Sequence, residues 1–177
     1  MTTDDERWWS LVDRARQEAG AEGPQARAAL LADWLSRLDV DEIVAFDRFF
    51  LERVNGAYRT ELWEIAYIMN GGCSDDCFDY FLGWLVSQGK QRYLAALADP
   101  RAAAEGVVAD DEPFECEEMW GVASRAFAAK TGESQETYYQ QHAPKVPRSD
   151  IGEPFDEDTV EERYPEVAAR FSLGTNR

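Results

Sequence analysis

Apolar residues recur along this chain at the three- and four-residue spacing of an amphipathic helix, and this spacing most constrains the fold. In the first segment the spacing is formed by Trp8, Leu11, Val12, Ala15 and Ala19. Residues three and four apart share one face of a helix, so this set forms a continuous apolar stripe. The alternating pattern of half-buried strands is not sustained over any length of the chain. The sequence therefore predicts an all-α protein.

Glycine, proline and capping residues divide this pattern into successive helices. The stretch GAEGP at residues 20–24 predicts the end of the first helix and the start of the second. Asp39 and Glu42 have the spacing of a capping box for the third, and Gly71–Gly72 is suited to end the fourth. The predicted apolar face of the sixth helix comprises Tyr93, Leu94 and Leu97.

After residue 104 the chain becomes richer in acidic residues and in predicted loops. Residues 105–118 form an acidic loop, and a helix follows that ends near Thr131–Gly132. Three prolines within HAPKVPRSDIGEP predict a second loop. The last amphipathic segment runs from Asp156 to Phe171, with Pro165 dividing it.

The domain organisation follows from these segments and from the length. A chain of 177 residues is most simply one domain, with a core large enough to be stable. We expect a single-domain multi-helix bundle over residues 1–177, with short turns between helices. Its helical core spans about 3–100, and a loop-rich acidic portion at about 105–171 packs on it.

Charge and composition limit the partners and the location. The formal net charge is −17 and the isoelectric point is near 4.4. This charge opposes binding to nucleic-acid backbones or anionic lipid, and it is compatible with a basic protein partner. We find no signal peptide and no stretch apolar enough to span a membrane. Three cysteines fit free thiols in a reducing cytoplasm, so a cytoplasmic location is expected.

The stretch NGGCSDDCFDYFLGWLVSQG, residues 70–89, is the most unusual passage, and most of it can be explained as a helix start. Gly71 or Gly72 can adopt a positive φ at the end of the fourth helix. Ser74 is then a suitable N-cap for the fifth helix. Asp75 and Asp76 fall in its first turn, where the helix dipole favours anions.

Thiol chemistry is one alternative interpretation of this stretch. Cys73 and Cys77 are four residues apart, which is not the C-x-x-C spacing of zinc or thioredoxin-like sites. A zinc site would need both of them together with Cys116 and His142, the only histidine. Cys73 could instead be a reactive thiol, because a helix N-terminus lowers the pKa of a thiol. The neighbouring aspartates oppose that effect.

Carboxylate chemistry is a second alternative. Asp75, Asp76 and Asp79, with Glu61 or Glu64 across the turn, could surround a hard cation such as Mg²⁺ or Ca²⁺. Asp75 and Asp79 share a helix face, whereas Asp76 points about 100° away. The spacing does not match an EF-hand loop. Solvated acidic faces are far commoner than ion sites, so we predict no metal site and no cofactor.

A ligand pocket between the fourth and fifth helices is the third alternative. Its predicted residues are Tyr58, Arg59, Trp63, Tyr67, Asn70, Cys73, Asp75 and Asp76. The aromatic members would form apolar walls and the others would supply polar groups, as in ordinary ligand pockets.

Sequence motifs do not identify an enzyme class. A phosphate-binding glycine loop and a nucleophile elbow are both absent, so catalytic residues stay unassigned. The leading expectation is a non-enzymatic binding or regulatory module with a protein partner. The alternative is an enzyme or small-ligand binder that uses the pocket between the fourth and fifth helices.

Four segments resemble a bacterial family known as domain of unknown function 4240. They are RWWSLVDRA, IVAFDRFF, FDEDTVEERYPEVAARF and, most specifically, AYRTELWEIAYIMNGGCSDDCFDYFLGWLVSQGKQRYLAALADP at residues 57–100. Cys77 departs from the family pattern, in which a small residue such as glycine follows CSDD. The resemblance implies a small, soluble, bacterial and mostly helical protein, and it implies no reaction.

Overall fold

A computed structural model describes residues 3–108 and 113–171, and these two ranges contain helices and no β-strand. The all-α prediction is therefore confirmed. The helices are α1 (Thr3–Ala19), α2 (Gly23–Leu35), α3 (Val40–Ala57), α4 (Thr60–Asn70), α5 (Asp75–Ser87), α6 (Lys90–Ala98), α7 (Val122–Thr131), α8 (Gln135–Gln141), α9 (Val160–Arg163) and α10 (Pro165–Phe171). Short 3₁₀ turns occur at Gly20–Glu22, Pro100–Ala104 and Glu117–Gly121.

The helix boundaries follow the capping residues in the sequence. Before α3, the backbone N–H of Asp39 donates to the carboxylate of Glu42 at 3.1 Å, as in the predicted capping box. Gly71 ends α4 with a left-handed φ of 65°. The next N–H, that of Gly72, then donates to the carbonyl of Tyr67 at 2.8 Å. Both predicted boundaries are confirmed.

Helix α5 lies in the centre of the core, since every residue from Phe81 to Ser87 is buried. Gly83 permits one close contact on this helix. A Cβ at this position would lie 2.6 Å from the carbonyl oxygen of Cys116, so a larger residue would displace the segment that packs there. The N–H of Cys116 also donates to the carbonyl of Tyr80 at 2.9 Å. The segment before α7 is thereby attached to α5.

Helix α6 differs in one residue from its predicted apolar face. The prediction that Leu94 packs inward is wrong, because 40% of this side chain is exposed. The buried residues of α6 are Tyr93 and Ala96, and Leu97 is partly buried against the core. Leu94 lies about 100° from Tyr93 around the helix, which is outside this narrow face.

The sequence pattern does not predict helix α8, because its residues QETYYQQ are mostly polar. The hydroxyl of Ser134 caps the helix by accepting from the N–H of Thr137 at 3.1 Å. Tyr138 is fully buried, and its hydroxyl donates to the buried carboxylate of Asp47 on α3 at 2.7 Å. Burial raises the pKa of Asp47 to about 6, and the hydrogen bond from Tyr138 opposes that rise.

The C-terminal helices α9 and α10 both pack on α4. Val160, Val167 and Phe171 belong to the same hydrophobic core as the helices that precede them. The predicted division at Pro165 is confirmed, because α9 ends before it and α10 begins with it. Residues 109–112 of the predicted acidic loop lie outside the described residues.

Candidate functional site

The turn between α4 and α5, where the sequence suggested either a helix start or a site, is a tight connection between two helices. The hydroxyl of Ser74 accepts from the N–H of Cys77 at 3.2 Å, which confirms Ser74 as the N-cap of α5. Asp75 and Asp76 occupy the first turn, and both side chains are exposed. Both carboxylates are therefore well placed to interact with the positive end of the helix dipole.

The aromatic residues near this turn connect α4 to α5. The indole N–H of Trp63 donates to the carbonyl of Cys73 at 2.8 Å. Its ring stacks on Phe78, with centroids 5.1 Å apart and planes only 3° from parallel. Tyr58 contacts the same Phe78 ring at 5.6 Å. These rings stabilise the helix pair through their mutual contacts.

Two polar residues of the predicted pocket, Arg59 and Asn70, form hydrogen bonds with other parts of the protein. Arg59 donates to the carbonyl of Leu97 at 2.9 Å. The amide oxygen of Asn70 accepts from the N–H of Phe114 at 2.8 Å, and its nitrogen donates to the sulfur of Cys77 at 3.8 Å. Asn70 thus ties the end of α4 to α5 and to the segment before α7.

The three cysteines are free thiols, and the surroundings of Cys73 and Cys116 disfavour the thiolate form. The neighbouring thiol of Cys77 and burial raise the pKa of Cys73. Burial raises the pKa of Cys116 to about 12. Because the thiolate is the nucleophile, both shifts weigh against the hypothesis of a reactive cysteine. Among the described residues, no three side chains of His, Cys, Asp or Glu form a metal-binding group.

Residues 143–159 form a segment without helix or strand that lies against α3 and α4, and we name it the C-terminal strap. The side-chain amide of Asn55 donates to the carbonyl of Pro147 at 2.7 Å. The hydroxyl of Thr60 donates to the carbonyl of Ile151 at 2.9 Å. Side chains at the end of α3 and the start of α4 therefore hold the strap by its backbone.

The strap also contacts the aromatic residues of the predicted pocket. The ring of Phe155 packs edge-to-face on Trp63 and Tyr67, with centroid distances of 6.0 and 5.6 Å. The hydroxyl of Tyr67 donates to the carboxylate of Glu157 at 3.1 Å. The chain's own strap thus contacts the residues that we expected to form the apolar walls of a ligand pocket.

Two of the carboxylates considered for a hard cation are bonded to the C-terminal region. Asp79 forms an ion pair with Arg148 of the strap. Glu64 is buried, and its two oxygens accept from Arg163 at 2.6 Å and from the hydroxyl of Tyr164 at 2.9 Å. Their oxygens thus hold the strap and α9 against α4 and α5.

A different region, where α1, α2 and α6 meet the end of α5, contains a polar cleft that the sequence did not predict. It consists of two adjoining cavities of about 530 and 620 Å³. Both are lined by Arg16 and Gln17 of α1, Gln88 after α5, and Arg92 of α6. Arg27 of α2 lines the second cavity. We name this region the arginine cleft.

The three arginines of the cleft form no ion pair with any carboxylate of the described residues. None of the ion pairs formed within residues 3–108 and 113–171 involves Arg16, Arg27 or Arg92. Arg27 donates to the carbonyl of Ser87 at 3.5 Å, and Arg92 to that of Ala103 at 3.4 Å. The Nε of Arg27 is buried and has no hydrogen-bond partner. Since each guanidinium has five N–H donors, most of these donors remain available.

The two described carboxylates of the cleft, those of Asp13 and Glu105, line the first cavity and not the second. Asp13 lines the first cavity, but its Oδ1 accepts from the N–H of Lys90 at 3.1 Å, at the start of α6. It lies so close to Gly89, whose φ is 93°, that a Cβ there would collide with it. Glu105 lines the first cavity as an exposed side chain, and its charge raises the pKa of Arg92 against the larger lowering by burial and Arg16. Asp13 is therefore committed to the N-terminus of α6.

The arginines consequently form a local group of positive charges in a chain of net charge −17. Burial, and secondly the positive charge of Arg16, lower the pKa of Arg27 and of Arg92. Arginine remains protonated at neutral pH despite such shifts. The three guanidiniums therefore repel one another, and an anion between them would remove that repulsion.

The second cavity extends to the N-terminus of α2 and to two aromatic residues. Gly20 and Gly23, with φ values of 51° and 89°, form the turn that begins this helix, and no side chain caps it. Uncapped N–H groups at a helix N-terminus favour negative charge. Trp84 and Phe114 line the same cavity as buried side chains, and the partly exposed Pro24 and Val107 contribute its apolar surface. The arrangement suits a ligand with an anionic part and an apolar part.

The fold and this cleft define a class of protein: an all-helical protein with three arginines around a polar cavity. The chain belongs to the family described as Protein of unknown function (DUF4240), whose model matches residues 1–129. This confirms the resemblance found in the sequence. Comparisons with curated proteins and with solved structures gave no match. The matched range contains the whole arginine cleft, whereas the C-terminal strap lies after it.

None of the eight residues predicted to bind a ligand lines the arginine cleft. The three arginines belong to three different helices and to no sequence motif, so only the packing of these helices brings them together. The stretch GAEGP next to them gave a local signal, but this signal predicts a turn and not an anion site.

Proposed function

We propose that this protein is a non-enzymatic binding protein for a small anionic ligand, which it holds in the arginine cleft. The observation that carries the proposal is that three guanidiniums line one cavity which no carboxylate of the described residues lines. Arg27 and Arg92 are partly buried whereas Arg16 is exposed, so the cost of removing charge from water falls on the first two, and a bound anion would recover part of it. Guanidinium groups also match the oxygen geometry of carboxylate and phosphate ligands.

Binding is favoured over catalysis by the residues that line the cleft. Within the described residues, the two cavities are lined by no cysteine, histidine, serine or threonine. These are the side chains that most often serve as nucleophiles or general bases. The lining consists of arginine, glutamine, two acidic residues and apolar groups, which can hold a ligand and orient it.

Thermal unfolding with and without anions tests the proposal. Inorganic phosphate and citrate are titrated at constant ionic strength, which is maintained with chloride. Because a ligand that binds only the folded state stabilises it by mass action, a ligand at one hundred times its Kd adds about 2.7 kcal/mol. For a chain of this length that corresponds to a rise in Tm of about 5–10 °C.

The substitution Arg16→Gln should abolish this rise in Tm. The matched control is Arg14→Gln on the same helix, because Arg14 pairs with Glu18 at 2.8 Å on the surface and does not line the cleft. The control should respond like the wild type. The proposal fails if no anion gives a saturable shift, or if both variants respond equally. Without ligand, Arg16→Gln should leave Tm unchanged or slightly raised, since it removes a repulsive charge.

The protein partner and the cytoplasmic location remain predictions from the sequence. The negative net charge supports a basic partner, since complementary charge accelerates association. Within residues 3–108 and 113–171, no helix combines the length and the apolar character needed to cross a membrane. Recovery of a partner from a native lysate at low salt would support the first prediction, and recovery of none would count against it.

A further inference from the structure

The arrangement of the arginine cleft also indicates the chemical class of its ligand. The guanidiniums come from three different helices, since Arg16 belongs to α1, Arg27 to α2 and Arg92 to α6. A carboxylate has two oxygens in one plane, which one or two guanidiniums can satisfy. A terminal phosphate has three oxygens in a tetrahedral arrangement, so it can accept from three directions at once. The number and origin of the arginines therefore favour phosphate.

The charge of the cleft favours a dianion. Arg16, Arg27 and Arg92 all line the second cavity, and no described carboxylate lines it, because Asp13 and Glu105 line only the first. A monoanion would leave most of the positive charge unbalanced. A phosphomonoester carries a charge of about −1.5 to −2 at pH 7, which balances it more fully.

The second cavity supplies two more elements of such a site. The N-terminus of α2 borders this cavity without a side-chain cap, and the positive end of a helix dipole favours a phosphate there. The same cavity is lined by the partly exposed apolar side chains of Pro24 and Val107. A free phosphate ion would not use these surfaces, whereas the organic group of a phosphate ester would.

We propose that the ligand of the arginine cleft is an organic phosphomonoester. Its phosphate accepts hydrogen bonds from Arg16, Arg27 and Arg92, and its organic group lies in the second cavity against Pro24 and Val107. This inference rests on the proposed function, namely that the cleft binds an anion, and it adds the class of that anion.

Isothermal titration at pH 7.5 and constant ionic strength tests this class with four probes: phenyl phosphate, inorganic phosphate, phenyl sulfate and benzoate. Phenyl sulfate keeps the tetrahedral shape with one negative charge, and benzoate keeps the phenyl group with a planar anion. We expect phenyl phosphate to bind at least about tenfold more tightly than each of the other three. Arg16→Lys should weaken its binding less than Arg16→Gln, because lysine retains the charge and loses the planar fork. Arg14→Gln should bind like the wild type.

Each other outcome overturns a defined part of the inference. Equal binding of phenyl phosphate and benzoate, with both lost in Arg16→Gln, would refute the phosphate class and leave the anion-binding function standing. Equal binding of phenyl phosphate and phenyl sulfate would refute the requirement for a dianion. Equal binding of phenyl phosphate and inorganic phosphate would refute the role of the second cavity. Failure of all four probes to bind would overturn the inference, and the citrate titration would then decide on the proposed function.

Discussion

Replacing Asp47 by Asn should make the protein more stable at neutral pH, although Asp47 is buried and hydrogen-bonded. The carboxylate on α3 accepts a hydrogen bond from Tyr138 at 2.7 Å, and only 8% of the residue is exposed. Burial raises its pKa from 3.8 to about 6, so the folded protein holds its proton to higher pH than the unfolded chain does. An amide keeps an acceptor for Tyr138 and carries no charge.

The sign of the pH dependence follows from this shift. Between pH 4 and pH 6 the folded state binds more protons at Asp47 than the unfolded state, so stability falls as pH rises through this range. Each pH unit in which only the folded state holds the proton changes the free energy of unfolding by about 1.4 kcal/mol. Between pH 5 and pH 8 the wild type should therefore lose about 1.4 kcal/mol relative to Asp47→Asn.

Urea unfolding at intervals from pH 5 to pH 8 measures this difference. The other carboxylates are common to both proteins, so their titration cancels when the two curves are subtracted. Asp41→Asn is the matched control, because Asp41 lies exposed in the first turn of the same helix. Its difference from the wild type should be constant over this range. A constant difference for Asp47→Asn as well would refute the reasoning, since it would mean that Asp47 is ionised throughout.

Three further substitutions test the local structure by chemical denaturation. Ser74→Ala should cost about 1 kcal/mol by removing the N-cap of α5, whereas Ser74→Asp should be nearly neutral; equal losses would contradict the capping role. Gly89→Ala should cost more than about 1 kcal/mol, because its φ is 93° and the new Cβ would collide with Asp13; Gly132→Ala, with a φ of 76° and open space around it, is the control and should cost less. Phe155→Ala should cost about 1–3 kcal/mol and should increase protease cleavage within the C-terminal strap, and unchanged cleavage would show that this ring does not hold the strap.

The elements that the sequence predicts well are those with a strong local signal. The spacing of apolar residues and the caps at Asp39 and Ser74 act within one helix, so they can be recognised without knowledge of the fold. Helix α8 lacks such a signal. Only Tyr138 faces the core there, and its partner Asp47 is 91 residues away in the sequence. The exposure of Leu94 could not be predicted from the sequence either, because the width of a buried helix face depends on the neighbouring helices.

The candidate site depends even more on distant contacts. The sequence places Tyr58, Trp63 and Tyr67 on neighbouring turns, which is consistent with a pocket wall as well as with packing. Phe155 of the C-terminal strap packs on Trp63 and Tyr67. The strap has no regular spacing of apolar residues from which this contact could be predicted. The arginine cleft requires three helices to converge and the nearby Asp13 to be bonded elsewhere. Neither condition can be derived from residue spacing.

The arginine cleft has a kinetic consequence, because it lies in a protein whose net charge is −17. An approaching anion is repelled at distances comparable to the Debye length, about 10 Å at 0.1 M salt, and is attracted only close to the guanidiniums. Added salt screens the repulsion and should accelerate association. The same salt weakens the contacts in the cleft and should accelerate dissociation. Both rate constants should therefore increase with ionic strength, so the bound anion exchanges faster in salt, whereas in oppositely charged pairs salt slows association.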